Sequence, residues 1–365
     1  MTDDARYRRP RNRLWRRILA LGRHAAIHLS NYLAHFLLRS DSLRPVYAIY
    51  EMTYGCDLHC SYCDDGRGRP YPPQASETRP LPLRDAVAML RKLRRAMPSI
   101  YLSGGEPTLH PDFLELLHEI DRLGFWPVML NTNGLHLERL LRKDADFLRY
   151  VDILIVSVDS MDPAKLDGVL RAGPGAGRRV LEALDLCLKL RQTCGYTLAV
   201  NCVITKETLD DAVGVARFCK ARRVKFAPVV ANRGKGPMDP VTEEARYAET
   251  VDALFAPGGP ELLSDPVLYE VLLRFRPFVC HPALRIHVTP DGRVPWPCQS
   301  DRRLALSVSD HESLPALLRE SERRFPIRGQ GRACGSPCYL AQNVSTDRYF
   351  TTTAWYAIRD LILKR

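Results

Sequence analysis

The chain has 365 residues, 45% of them hydrophobic, with a formal net charge of +11 and eleven cysteines. That length supports one large α/β domain with an appendage, or two domains. The odd cysteine count and the lack of a secretory pattern argue against a disulfide framework and for a reducing, cytoplasmic setting in which grouped cysteines point to metal. The positive charge fits an acidic substrate, a membrane surface, nucleic acid or an acidic partner, without choosing among them.

Residues 1–45 read as a basic extension. Arg6, Arg8, Arg9, Arg11, Arg13, Arg16, Arg17 and Arg23 crowd its first half, while Leu14, Ile18, Leu21, Ala25, Leu29, Leu33 and Leu37 recur at helical spacing. Arg23, His24, His28 and His35 make the run too polar to span a bilayer. A basic amphipathic helix over residues 12–38 is expected, lying on a membrane surface, docking on a partner or packing on its own barrel. From Val46 the pattern changes. Strands are expected at 46–52, 99–103, 126–132, 151–158, 196–204 and 224–230, with helices near 83–96, 112–123, 136–149, 176–193 and 208–222. Six strands, each followed by a crossover, predict a parallel α/β sheet, and right-handed crossovers curl it into a partial (β/α)6 TIM-like barrel. Gly/Pro-rich breaks at 233–237 and 256–260 set off a helical linker over 236–277. The remainder, 278–365, is rich in Pro and Cys and closes with a helix near 353–364.

After the first strand, Cys56, Cys60 and Cys63 fall within eight residues. Thiolates suit an iron–sulfur cluster or zinc, and for zinc His59 would be a fourth ligand. Three cysteines on a four-iron cluster leave one iron open for a small molecule. The loop follows a parallel strand, at the carboxyl end of the sheet where ligands bind. The Cys-x3-Cys-x2-Cys pattern, with Tyr62 before the third cysteine, resembles the signature of the radical S-adenosylmethionine (SAM) superfamily. The resemblance implies a [4Fe–4S] cluster whose open iron is chelated by SAM, reductive cleavage of SAM, and removal of hydrogen from a substrate by the 5′-deoxyadenosyl radical. It covers residues 46–235 as the radical SAM core.

The second strand ends in Gly104-Gly105-Glu106-Pro107, which resembles the family's motif for the SAM amino group. Glycines let backbone carbonyls come close to a ligand, and Glu106 offers an anionic acceptor for an ammonium. By the same resemblance Asn131 and Ser157, at the ends of the third and fourth strands, face the ribose or methionyl part of SAM, and Arg171 pairs with its carboxylate through a planar fork of donors. Val203 and Ile204 are placed to pack on adenine, and Asp159 either meets SAM at the same strand end or caps the segment after its strand.

In the last third, Cys280, Cys298, Cys334 and Cys338 can saturate either zinc or a four-iron cluster. A small hairpin is expected over 286–294, around Pro290-Asp291-Gly292. The order of features resembles a twitch/SPASM-like domain, which implies one fully ligated auxiliary [4Fe–4S] cluster in 278–365. The final pair departs from the commoner spacing by one residue. Such a cluster has no free site for substrate, so its use is electron transfer. The reading is a radical SAM oxidoreductase that dehydrogenates a substrate or forms a C–C or C–S bond. The substrate is a small molecule, lipid or peptide, and the reductant a protein such as flavodoxin or ferredoxin. The rival is a zinc-stabilised module whose basic arm grips nucleic acid or a membrane, and it leaves the Gly-Gly-Glu-Pro strand end without a purpose.

Overall fold

A computed structural model describes residues 13–40, 42–63, 78–233, 236–237, 245–299, 302–327 and 340–351. Cys334, Cys338 and the closing helix expected near 353–364 lie outside these residues. The chain begins with α1 (Arg13–Tyr32) and then alternates β1 (Tyr47–Thr53), α2 (Leu83–Ala96), β2 (Ser99–Gly104), α3 (Phe113–Leu123), β3 (Val128–Thr132), α4 (Leu137–Lys143), β4 (Ile153–Ser157), α5 (Pro163–Leu170), α6 (Ala176–Cys194), β5 (Thr197–Ile204), α7 (Leu209–Arg222) and β6 (Lys225–Val230). The helix predicted over 136–149 stops early. Asp144 ends it, binding His118 at 2.7 Å and the Asp146 amide at 2.9 Å, and the chain resumes as a 3-10 turn over Phe147–Tyr150. After β6 come a two-residue ladder of β7 (Asn232–Arg233) with β8 (Gly236–Pro237), then α8 (Ala245–Phe255) and α9 (Pro266–Leu273).

The six expected strands form one parallel sheet, and a seventh joins it. The order is β6-β5-β4-β3-β2-β1-β9, with β9 (Arg285–Val288) running parallel to β1 and Arg285 opposite Tyr47. The turn predicted around Gly292 is present, with the Gly292 amide donating to the Thr289 carbonyl. Its arms separate: β9 joins the barrel sheet, while β10 (Arg293–Pro297) pairs antiparallel with β11 (Arg302–Ser307). All four β9 residues are buried, which suits a strand of a parallel sheet rather than an exposed hairpin arm. The last described elements are α10 (Leu314–Arg324), a short helix, Ala341–Asp347, and a 3-10 turn, Arg348–Phe350.

Side chains alternate across the curved sheet. The outer set, including Tyr50, Met52, Leu102, Leu130, Leu154, Val200 and Phe226, packs under the helices in one apolar core. The inner set encloses a cavity of about 640 Å³, running from Cys63 at the carboxyl ends of the strands to Tyr47, Ser99 and Lys225 at their amino ends.

At those amino ends lies α1, whose His24 and His28 line the cavity. Ala20, His24, Ile27 and Asn31, one helical face, are buried. Arg16 donates to the Asp121 carbonyl at 2.7 Å, Arg17 pairs with Asp152 at 3.6 Å, and Asn31 bonds both backbone groups of Arg44. The first helix therefore packs on its own barrel, one of the three arrangements its sequence allowed. The opposite face, continued by the helical turn Leu33–Leu37 and Leu38, is not covered: Trp15, Ile18, Leu19, Leu29, Leu33, Phe36, Leu37 and Leu38 are 45% to 74% exposed.

His24 is 7% exposed and donates to the Trp126 carbonyl at 3.3 Å. Burial, with smaller contributions from the charges of His28, Arg94 and Arg23, lowers its pKa from 6.5 to about 4. The folded protein thus binds this proton more weakly than the unfolded chain, and stability is lost as pH falls from about 6.5 toward 4. Between pH 7 and pH 5, wild type is expected to lose about 2 kcal/mol relative to His24→Gln, whose amide still donates but does not titrate. Urea unfolding of both proteins at the two pH values checks this, and equal losses would contradict it.

Candidate active site

The cysteine loop leaves β1 with Cys56 and Cys60 half-buried and Cys63 exposed. Three neighbours fix it. The C-terminal turn of α5 accepts from it, His59 N to the Leu170 carbonyl at 3.0 Å and Ser61 N to the Val169 carbonyl at 2.9 Å. Tyr62 donates its hydroxyl to Asp159 Oδ2 at 2.7 Å, and Asp159 Oδ1 accepts the Val203 amide at 2.7 Å. Asp159 is thus a brace between the loop and β5; the cap of α5 is Asp162, which accepts the Ala164 and Lys165 amides. Asp57 accepts from Asn133 Nδ2 at 2.8 Å and lies 3.0 Å from His136 Nε2. Burial pushes the Cys56 and Cys60 thiols up to about 12. A cationic metal core at the loop would reverse that, because coordination deprotonates thiols. Among the described residues no group of three or more His, Cys, Asp or Glu side chains converges as a finished metal site. The fit to a cluster rests on the donor chemistry: three soft ligands in one loop, none of them in a disulfide.

The end of β2 is pressed against this loop. A Cβ on Gly104, whose φ is +127°, would sit 2.2 Å from the Thr53 carbonyl oxygen, and one on Gly105 would sit 2.3 Å from that of Gly55. The Gly105 and Glu106 amides donate to the Thr53 and Gly55 carbonyls at 2.7 and 2.8 Å. Glu106 is 1% exposed and turned inward. Its carboxylate accepts from the Thr108 amide (3.1 Å) and hydroxyl (2.5 Å), the Thr132 hydroxyl (2.7 Å) and the Asn133 amide (2.7 Å). Burial raises its pKa and these donors pull it back. The turn therefore presents glycine backbone outward, with Glu106 holding it from behind.

Around the cavity at the level of this turn stand Ser103, Asn131 and Asn201. The Ser157 hydroxyl is 3.5 Å from Asn131 Oδ1 and is paired in register with Asn201. Asn201 was missed in the sequence, although period-two alternation from Thr197 places it inward. The same alternation separates Val203, which lines the cavity, from Ile204, which is buried in the outer core. Arg171 caps α5 in a left-handed conformation (φ +50°) with its side chain exposed, one residue from the Leu170 carbonyl that holds the loop.

Of the C-terminal cysteines, Cys280 and Cys298 are half-buried. The Ala341–Asp347 helix braces the first: Thr346 Oγ1 lies 3.7 Å from Cys280 Sγ, accepts the His281 amide at 2.9 Å and donates to the Asn343 carbonyl at 2.7 Å. Beside the second, Gln299 donates to Glu51 Oε1 on β1 at 2.5 Å, and Arg302 lies 3.9 Å from Glu51 Oε2. A buried polar cluster thus ties the Cys298 segment to the strand that leads into the first cysteine loop.

Residues 50–219 match the radical SAM superfamily model. The human molybdenum cofactor biosynthesis protein 1 is 28% identical over 180 residues, covering 48% of this chain and 26% of that protein. The GTP 3′,8-cyclase of Haemophilus ducreyi is 32% identical over 167 residues, covering 44% of this chain and 45% of that one. The chain thus spans less than half the length of these relatives. Among solved structures, Streptococcus suis SuiB bound to its precursor peptide SuiA superposes with a TM-score of 0.59 at 16% identity, covering 93% of this chain and 78% of that one. Native anSMEcpe with bound AdoMet gives 0.53 at 16% identity, covering 87% and 98%. At such identity the two solved structures share the fold. With its parallel barrel, three-cysteine loop and glycine turn, the chain carries over residues 50–219 a segment that matches the radical SAM superfamily.

Proposed function

We propose that the chain is a radical SAM oxidoreductase acting on a substrate held in the barrel cavity. The observation that carries this reading is the contact of the cysteine loop with the glycine turn at the mouth of that cavity. Held by Cys56, Cys60 and Cys63, a [4Fe–4S] cluster supplies the electron that cleaves SAM. The chain's own residues position SAM and exclude water. Gly104 and Gly105 offer backbone to its amino group, Glu106 fixes their turn, Asn131 and Ser157 face its ribose, and Arg171 takes its carboxylate. Cys280, Cys298, Cys334 and Cys338 hold an auxiliary [4Fe–4S] cluster that serves as electron acceptor in a dehydrogenation or in C–C or C–S bond formation. A protein of the flavodoxin or ferredoxin class is the reductant. A zinc-stabilised binding module accounts for neither the glycine turn nor the cavity.

Among the described residues no helix is long and apolar enough to cross a membrane. The outer face of α1 supports contact with an anionic membrane surface. Its apolar side chains are exposed, and residues 5–40 contain nine arginines and no acidic residue. Each arginine near anionic lipid contributes about 1 kcal/mol.

Two outcomes check these readings. The anaerobically reconstituted chain should hold about eight irons, four per cluster. Replacing Cys56, Cys60 and Cys63 with Ala should remove about four of them and abolish 5′-deoxyadenosine formation; unchanged SAM cleavage would overturn the assignment. For the membrane contact, the full chain should sediment with phosphatidylglycerol-containing vesicles at low salt, and Leu19→Glu with Phe36→Glu should abolish that while leaving iron content unchanged. Sedimentation that persists in the double variant would refute it.

A further inference from the structure

Arg285 opens β9 and is 4% exposed, and its side chain lines the cavity. Nη1 donates to His287 Nε2 at 2.9 Å, while Nε is buried without a hydrogen-bond partner. Among the described residues no carboxylate lies within ion-pair distance of it. The nearest acid in its network is Glu51, which is 3.4 Å from His287 Nδ1 and already faces Arg302 and Gln299. Burial holds His287 below its ordinary pKa, so a neutral imidazole stands between Arg285 and that carboxylate. Arg285 is thus a buried guanidinium with no carboxylate of the described residues against it. An uncompensated buried cation is costly, and a ligand anion would offset that cost.

We infer that the cavity binds an amphiphile whose carboxylate or phosphate head pairs with Arg285. This rests on the radical SAM reading and names the substrate class for it. The planar fork of a guanidinium matches two oxygens of such a head. Tyr47 lies beside it in register, with Ser345 on the same cavity wall. Above it the walls are mainly apolar, with Met129, Ile155, Val203, Leu268 and Tyr269 among them. The site does not suit a polyphosphate, because Lys225, the other cation on the wall, is bound to Glu261 at 2.9 Å. Arg285 stands opposite the first residue of β1, and the cysteine loop follows its last. The ligand therefore lies with its head at the amino ends of the strands and its tail about 20 Å away toward Cys63. Hydrogen is then removed from the tail, far from the head.

The test is calorimetric binding of decyl phosphate, decanoate and decanol to the full, cluster-loaded chain without SAM or reductant. Both anions should bind at least about tenfold more tightly than the alcohol. Arg285→Gln should abolish that preference while retaining decanol binding, and Arg285→Lys should restore part of it. Circular dichroism melts establish that the variants fold. If either fails to fold, competition among the three probes on wild type decides: decanol displacing decyl phosphate as readily as decanoate does would overturn the inference. So would an anion preference that survives Arg285→Gln, since the arginines of α1 would then be its source. Because binding is read without SAM, its failure leaves the radical reading intact, and unchanged SAM cleavage in the triple cysteine variant would overturn that reading without touching the binding result.

Discussion

The geometry of the site depends on one buried carboxylate behind a turn that has no room for side chains. Glu106 gathers two donors from Thr108 and one each from Thr132 and Asn133, joining the ends of β2 and β3. In front of it the glycine pair lies against the carbonyls of Thr53, Tyr54 and Gly55. Charge-assisted bonds to a buried acid contribute about 1.5–3 kcal/mol each before desolvation is subtracted. Three strand ends and the cysteine loop are thereby held as one rigid unit. The same Asn133 reaches forward to Asp57 inside the loop, so the unit extends to the residue after the first cysteine.

From this rim the cavity descends through a mixed wall to a cationic floor. The upper positions are small and polar: Ser103, Asn131 and Asn201. The middle is apolar, and the floor holds Arg285 with the two histidines of α1. The C-terminal region is built into this architecture. It supplies β9, and Lys92 on α2 pins the segment after β11 by donating to the carbonyls of Val308, Ser309 and His311 at 3.0, 3.1 and 2.5 Å. Glu51 and Gln299 join the two cysteine-bearing segments. The sequence elements that differ most in composition are therefore connected through β1.

Local patterns in the sequence were legible because they have local causes. Apolar runs of five to eight residues set the strands, and the chemistry at their carboxyl ends followed from where the cysteines and glycines fell. Long-range pairing was not legible. Nothing in Arg285-Ile286-His287-Val288 says that it will lie beside a strand more than 200 residues earlier, and the Pro-Asp-Gly turn favoured a closed hairpin instead. Side-chain direction was legible only in part: Glu106 turns inward because Thr108, Thr132 and Asn133 converge on it, and that convergence exists only after β2 and β3 pair. The first helix posed a different problem. Its arginines and apolar residues were plain, but its inner face is set by Asp121 in the last turn of α3 and by Trp126 and Asp152 in the loops before β3 and β4.

The central claim is that the three-cysteine loop, clamped by the glycine turn, holds a cluster with a coordination position open to SAM. Electron paramagnetic resonance of the reduced, anaerobically reconstituted chain, recorded with and without SAM, tests it most directly. SAM should shift the signal of one cluster and leave the other unchanged. A spectrum indifferent to SAM would contradict the account.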